Sequence, residues 1–435
     1  MHGCEVSHME LGTGMRIITP PFAMRLCGYS GRSTPFECVK EDLYLRVHLL
    51  RDQETRLLFL YGDVLSWDPG FVQKARPFLN ELTGIDEDHI FLTATHNHCG
   101  PATGSVFAML TVQATEDYES FLLSQMREAV LQAIDNLEPV VLYRYTGSSA
   151  LSVYRRKWEK GHVQMMPNYC IPVDQTLTML DFQRMDGTSK ALGIHYACHA
   201  NVCGENVVQP DYPGILLRMI DAERPGCLSF FWQGCAGDVR PNCVVGSQFQ
   251  RMTYKDAVFF ATQLKQDCDR TLHTTGERIN GPLYACRRTV MLPRNDGITP
   301  ERAYVMMNSN DDAARRRGAA MKAQGFPTGS LLELGCFCLG EGLYACTFNG
   351  EMVHAYASMV KKAQPQALAI GYTNGTIGYI CTAQQIKAGG YEPCESVRTS
   401  ALCGPLSEAA ENIIRIEIER ICDEMKQVIA KRGVH

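Results

Sequence analysis

The sequence predicts an α/β fold, and three observations carry that prediction. Apolar residues make up 45% of the 435 and charged residues 20%, the balance of a chain that can bury a sizeable core. The short apolar runs VVLYRYTG, LTMLDFQ, KALGIHYACHA and CLSFFWQG are bounded by Gly, Asp or Pro and read as interior strands with loops at their ends. Segments with apolar residues at helical spacing lie between and beyond them, at 69–82, 117–137 and 407–431.

In chain order, the apolar stretch Met15–Thr19 is halted by Pro20 and Pro21. LYLRVHLLRDQETRLLFLYGDVLS then holds two apolar runs around a polar turn at Asp52–Glu54, which predicts a β-hairpin. A helix from Pro69 to Leu82 precedes IFLTAT, a buried strand that delivers the chain into THNHCGP. Residues 295–330 form the polar stretch: Thr299-Pro300-Glu301 is a helix start and Arg315–Arg317 a charge run, together predicting a solvated surface helix rather than a lid. LYACTFNG reads as a strand after which Glu351 opens a helix. The closing helix carries Ile413, Ile414, Ile418, Ile421, Met425 and Val428 on one side, the pattern of core packing. No internal repeat, Gly/Ser-rich linker or low-complexity segment interrupts this order.

Composition excludes several function classes. A formal net charge of -5 provides no field for phosphate backbones, so nucleic acid is not an expected partner. No run approaches the roughly 20 apolar residues of a membrane span, and the first residues lack a signal-peptide pattern, which places the expected enzyme in the cytoplasm. The 19 cysteines include no CxxC pair, and in a chain of this size they read as reduced, buried thiols. Cys336 and Cys338, at CxC spacing, are expected as two strand residues rather than as metal ligands.

Four clusters carry chemistry. His96 and His98 flank Asn97 where a strand ends; alternate strand residues share a face, so both imidazoles can reach one point, although loop histidines can equally be satisfied by backbone hydrogen bonds. His199 sits where the GIHYACHA strand ends, whereas His195 lies deeper in the same strand and is expected to pack. Glu351 is either a helix-capping carboxylate or a ligand. With His354 it makes an ExxH pair, which di-iron bundles use only in two copies on four long helices. The loop GCAGDVRPN supplies closely spaced backbone N–H groups, around Gly237 and Asp238, that can polarise a carbonyl or hold an anion.

The succession ATHNHCGPATG, GIHYACHANVCG, QGCAGDVRPN, NGEM and NGTIGYICTAQQIKAGGYEP resembles the catalytic domain of the neutral ceramidase family, which shows equivalent blocks in that order. The likeness runs from ITPP near residue 18 to LCGP near residue 405. It implies layered mixed β-sheets flanked by helices, forming one catalytic domain over 1–435 without a C-terminal immunoglobulin-like domain. It further implies a zinc-dependent hydrolase that cleaves an amide-type bond of a small molecule, esters included, by metal-activated water. By the same resemblance His96, His199, Glu351 and Tyr379 hold the zinc. His98, Arg155 and Tyr391 line the reaction centre with Tyr379, and Arg156 replaces Arg155 if the alignment slips by one. His, carboxylate and phenolate ligands also suit other divalent ions.

One departure bears on the substrate. Where the family has the serine of GDVSPN, this chain has Arg240 in GDVRPN. A guanidinium pairs carboxylates and phosphates bidentately, so an anionic substrate is expected in place of ceramide, with Arg240, Gly237 and Asp238 as its contacts. Two other readings compete. An amidohydrolase-type barrel also uses HxH at a strand end but expects it on the first of eight βα units. A pocket that binds a metal or small molecule without catalysis is the reading that Arg240 itself motivates.

Overall fold

The computed structural model describes residues 9–104, 114–295, 297–398, 400 and 402–432. The predicted hairpin forms between Tyr44–Arg51 and Arg56–Gly62. Its turn closes because the Asp52 carboxylate accepts the N–H groups of Glu54 (2.9 Å) and Thr55 (2.6 Å). This hairpin sits inside a 9-stranded sheet in the order Phe230–Gln233, Ser189–Tyr196, Thr176–Arg184, Glu138–Ser148, Met9–Ile17, Tyr44–Arg51, Arg56–Gly62, Ile90–Ala94, with Glu277–Ile279 pairing off that path on Glu138–Ser148.

The strands read as unbroken apolar runs because both faces are covered. Along Arg56–Gly62, Leu58 and Leu60 pack under the helices Pro69–Thr83 and Glu116–Asp135, while Leu57, Phe59 and Tyr61 face a second sheet. That sheet has 4 strands, Tyr284–Pro293, Gly329–Cys338, Tyr344–Phe348 and Leu368–Ile370. Phe337 from it lies 5.0 Å from Phe59 and 5.4 Å from Trp232, centroid to centroid. Each such fully buried ring stabilises the stack by about 1.5–3 kcal/mol. Helices Asp211–Glu223 and Tyr254–Leu272 complete the outer cover of the larger sheet, and Ala355–Ala363 and Ala409–Arg432 cover the smaller one. The result is four layers, helix, sheet, sheet, helix, which confirms the layered mixed α/β expectation and rules out the eight-unit barrel.

Several local expectations hold and two change. The helix Pro69–Thr83 is capped by Asp68, whose side chain accepts from Gly70 N (2.8 Å), and ends at Gly84 with φ 64. The polar stretch forms two short helices, Pro300–Met307 and Asp312–Ala323, instead of one. Thr299 caps the first, and Asp312 starts the second, where it pairs with Arg315 and Arg316. Glu351 does not open a helix. It lies in the two-residue strand Glu351–Met352, paired in parallel with Tyr379–Ile380, and the helix begins only at Ala355. No described helix is long and apolar enough to cross a membrane.

Parallel neighbours bring strand ends to one edge. Arg56–Gly62 runs parallel to Ile90–Ala94, Ser189–Tyr196 to Phe230–Gln233, and Tyr344–Phe348 to Leu368–Ile370. Beyond those carboxyl ends the chain continues into His96, His199, Asp238, Glu351 and Tyr372, the position at which open α/β sheets place their ligands.

Candidate metal centre

The three histidines meet in a buried cluster. His96 Nε2 lies 3.0 Å from His199 Nε2 and 3.4 Å from His98 Nε2, and one ligand atom of each lies within 4.8 Å of the others. Their other nitrogens face backbone carbonyls: His96 Nδ1 with Leu65 O (2.8 Å), His98 Nδ1 with Gly28 O (2.9 Å) and His199 Nδ1 with Ala236 O (3.1 Å). A carbonyl only accepts, so each Nδ1 carries the hydrogen and each Nε2 presents a bare lone pair. Arg155 Nη1 also lies 3.4 Å from His199 Nδ1, but the shorter carbonyl contact fixes that tautomer. Burial, and then the neighbouring His96, hold both His98 and His199 well below the usual imidazole range, so they are neutral. Glu351 Oε2 completes the group at 3.1 Å from His96 Nε2 and, among the described residues, is buried without a hydrogen-bond partner. Three converging lone pairs and a carboxylate oxygen without a donor form a donor set that fits a divalent cation.

The HxH convergence has a different cause from strand alternation. The strand stops at Ala94 and His96 adopts φ 65, a left-handed conformation that costs a non-glycine residue roughly 1–2 kcal/mol. Asn97 fixes the turn: its Nδ2 donates to Asp63 O (3.1 Å) and Gln209 O (2.9 Å), and its Oδ1 accepts from Cys99 N (2.8 Å). Gly28, at φ 91, is required beside His98, because a Cβ there would stand 2.7 Å from His98 Cα. Tyr372 and Asn374 are also left-handed, at φ 54 and φ 59. Tyr372 stacks on the His96 ring at 4.0 Å, and its carbonyl accepts from Ala94 N (3.1 Å) while Asn374 N donates to Leu92 O (2.7 Å). Strain of this kind gathers at functional sites, and Tyr372 is a site residue that no sequence motif singled out.

Glu351 and Tyr379 stand opposite each other in the short parallel ladder. The Tyr379 and Tyr391 rings are 5.7 Å apart, and the Arg155 guanidinium lies 5.4 Å and 5.8 Å from their centroids. Arg155 Nε donates to Glu392 Oε1 at 2.7 Å. Arg156 donates to the other Glu392 oxygen and to Gly389 O (2.7 Å), away from the histidines. Of the two arginines, the structure therefore brings Arg155 into the cluster. Burial opposes its charge, yet Tyr379 and Glu392 keep it fully protonated. Burial, and then the Glu351 carboxylate, hold the phenols of Tyr379 and Tyr391 protonated as well.

The glycine-rich loop behaves differently from expectation. Gly237 N donates to Met352 O (2.8 Å) and so offers nothing to a substrate. Asp238 is fully buried, and its oxygens accept from His354 N (2.7 Å), His354 Nδ1 (2.9 Å) and Gln385 Nε2 (2.7 Å). Burial pushes the Asp238 carboxyl up, but the His354 contacts outweigh it and keep the group below its ordinary range. Gly237 and Asp238 therefore brace the Glu351 strand and are not substrate contacts. Arg240 lies off the cavity wall, with Nη1 3.5 Å from Met165 Sδ. His195 packs as expected, its Nε2 3.0 Å from Ala369 O.

A cavity of about 90 Å³ opens on the cluster. His96, His98, Glu351, Tyr379 and Tyr391 form its reactive side, and Cys27, Leu65, Pro101, Ala102 and Leu402 form an apolar wall.

No protein-family model and no curated protein matches the chain. Among solved structures, neutral ceramidase from Pseudomonas aeruginosa matches with a TM-score of 0.76 and 16% identity, over 98% of this chain and 75% of that one. A ceramidase complexed with C2 matches with the same TM-score of 0.76 and 16% identity, over 97% of this chain and 76% of that one. At this identity the likeness is one of architecture, and the chain has the ceramidase-like fold that its ordered blocks predict.

Proposed function

We propose that the protein is a zinc-dependent hydrolase that cleaves an amide-type bond, with esters as secondary substrates. One observation carries the reading: three Nε2 lone pairs, fixed by carbonyl contacts at the far side of each ring, converge beside the unpartnered Glu351 oxygen. His96, His199 and Glu351 would hold the ion with Tyr379. His98 is placed close enough to serve as a further ligand, but it also lines the cavity, whereas His199 does not, and this favours His98 as the proton carrier. Zinc, when bound, polarises a carbonyl and lowers the pKa of water from 15.7 to about 7.

The chain's own residues do the rest. His98, oriented by Gly28 O and neutral at physiological pH, accepts a proton from the attacking water and passes it to the leaving nitrogen. The water oxygen bonds to the carbonyl carbon, the carbon–nitrogen bond breaks, and an acid and an amine leave. Tyr391 donates a hydrogen bond that orients the substrate. Arg155 sets a permanent positive charge behind the two phenols, where negative charge develops on the carbonyl oxygen. The apolar wall excludes bulk water.

The test is metal content together with a substrate screen. Purified protein is expected to carry about one zinc per chain and to lose it in His96→Ala. N-acyl compounds, peptides, lactams and esters are then assayed with and without the metal. Unchanged zinc in that variant would overturn the ligand assignment, and ligand-induced thermal stabilisation without any turnover would favour a non-catalytic binder.

A further inference from the structure

Arg240 differs from the other guanidiniums around the histidines. Arg155 and Arg156 share Glu392, and Arg32 donates to the carbonyls of Cys27 (2.7 Å), His98 (2.5 Å) and Glu205 (2.6 Å). Arg240 lies against the Met165 sulfur, at 3.5 Å, and over the face of Phe249, at 4.6 Å. Among the described residues its Nε is buried without a partner, and no carboxylate pairs with it. Burial, and then the charge of Arg155, weaken its hold on its proton. A partly enclosed guanidinium without a counter-ion is a strong bidentate recognition element for an anion.

Its anchoring ties it to the centre. Val239 O, in the strand Val239–Pro241, accepts from His199 N (3.2 Å), and Asp238 O just before that strand accepts from Arg155 N (3.0 Å), so the backbone leading into Arg240 anchors both segments. Nearby, the guanidiniums of Arg251 and Arg32 lie 4.5 Å and 4.7 Å from the Tyr29 ring, and that ring leans on His98 at 5.2 Å. His98 thus has two unlike sides. One is the apolar cavity bounded by Cys27, Leu65, Ala102 and Leu402; the other is the Tyr29 side, which is rich in positive charge.

We infer that the substrate is an N-acyl compound whose apolar acyl part occupies the cavity and whose amine part carries a carboxylate or phosphate held by Arg240. This inference deepens the hydrolase reading and rests on it. The products would be an apolar carboxylic acid and an anionic amine such as an amino acid: water supplies the oxygen to the acyl carbon and the proton to the departing nitrogen.

The experiment uses matched pairs on the zinc-loaded full chain. N-acyl glycine is compared with neutral N-acyl glycinamide, and N-acyl phosphoethanolamine with neutral N-acyl ethanolamine. The anionic member of at least one pair is expected to be favoured by about tenfold to a hundredfold in kcat/KM, the range of charge-assisted hydrogen bonds, and the pair that responds identifies the anion. Arg240→Ser is expected to erase the preference, and Arg240→Lys to keep part of it, since a lysine retains the charge but not the fork. Calorimetric binding of an N-alkyl glycine, which has no bond to cleave, to the metal-free protein is expected to weaken similarly in Arg240→Ser. Circular dichroism checks that the variants fold; should the serine variant fail, the lysine variant and the wild-type pairs decide. Equal turnover and equal binding of charged and neutral members would overturn the inference and leave the hydrolase reading standing. Arg240-dependent anion binding with no hydrolysis would overturn the hydrolase reading, and with it the substrate assignment.

Discussion

Two regions of the molecule concentrate side chains of the kind that bind metals, and they differ in what their donor atoms are already doing. In the smaller sheet, Cys286, Cys336 and Cys346 stand in register across three strands, with Cys346 Sγ 3.9 Å from Cys336 Sγ and 3.7 Å from Cys422 Sγ of the covering helix. Those sulfurs share hydrogens with one another. Burial pushes the Cys286 thiol up to about 12, and the contact with Cys336 raises Cys346. A thiolate is the ligand and a thiol is not, so this ladder behaves as core. At the histidines the far nitrogens carry the hydrogens and the near ones carry none. The difference teaches that residue type and proximity do not make a metal site; unspent lone pairs directed at one point do.

Substitutions can break that contrast, and the largest effect is expected at the histidines. His96→Ala should remove the zinc and lower hydrolysis on the order of 10³-fold or more, measured by metal analysis and steady-state kinetics. Asp238→Ala should lower folding stability by about 3 kcal/mol in denaturant titration, since it strips the half-buried His354 of its paired carboxylate and leaves the Gln385 amide only its longer contact to the Tyr154 hydroxyl (3.3 Å). Cys346→Ser should cost about 1–3 kcal/mol by placing a hydroxyl in an apolar layer, while zinc content stays the same; lost zinc in this variant would collapse the distinction between the two regions.

A pH titration sharpens it. His98 and His199 have depressed proton affinities in the folded chain, whereas unfolded histidines titrate near 6.5. The unfolded chain then binds more protons below that pH, so stability of the metal-free protein should fall as pH drops from about 7.5 to 5.5, by up to about 1 kcal/mol per histidine per unit. A flat melting temperature across that range would show that the imidazoles are not held neutral.

Much of the fold was legible because burial leaves a pattern. Strands covered on both faces read as the apolar runs around Leu58 and Ile194, and the helix cap at Thr299 stands where the sequence places it. The order of the blocks located His96, His199, Glu351 and Tyr379, which the structure gathers at one edge. What stayed hidden depends on the backbone. The acceptors that fix the tautomers are the carbonyls of Gly28, Leu65 and Ala236, which carry no side-chain signature. The left-handed turn at His96 and the stacking of Tyr372 follow from how two distant segments cross. Gly237 and Asp238 looked like an anion cradle because a glycine-rich turn after a strand is the same string whether its N–H groups face a cavity or a neighbouring strand.

Glu351 and Tyr379 belong to a ladder that extends the smaller sheet's side of the molecule, whereas His96 and His199 leave the larger sheet. An ion held by all four would rivet the two halves of the sandwich together at one rim. A slip of the sheets by one ångström would then abolish chelation before any helix or strand melted, making the ion's residence time a sensitive gauge of how firmly the aromatic stack around Phe59, Trp232 and Phe337 stays docked.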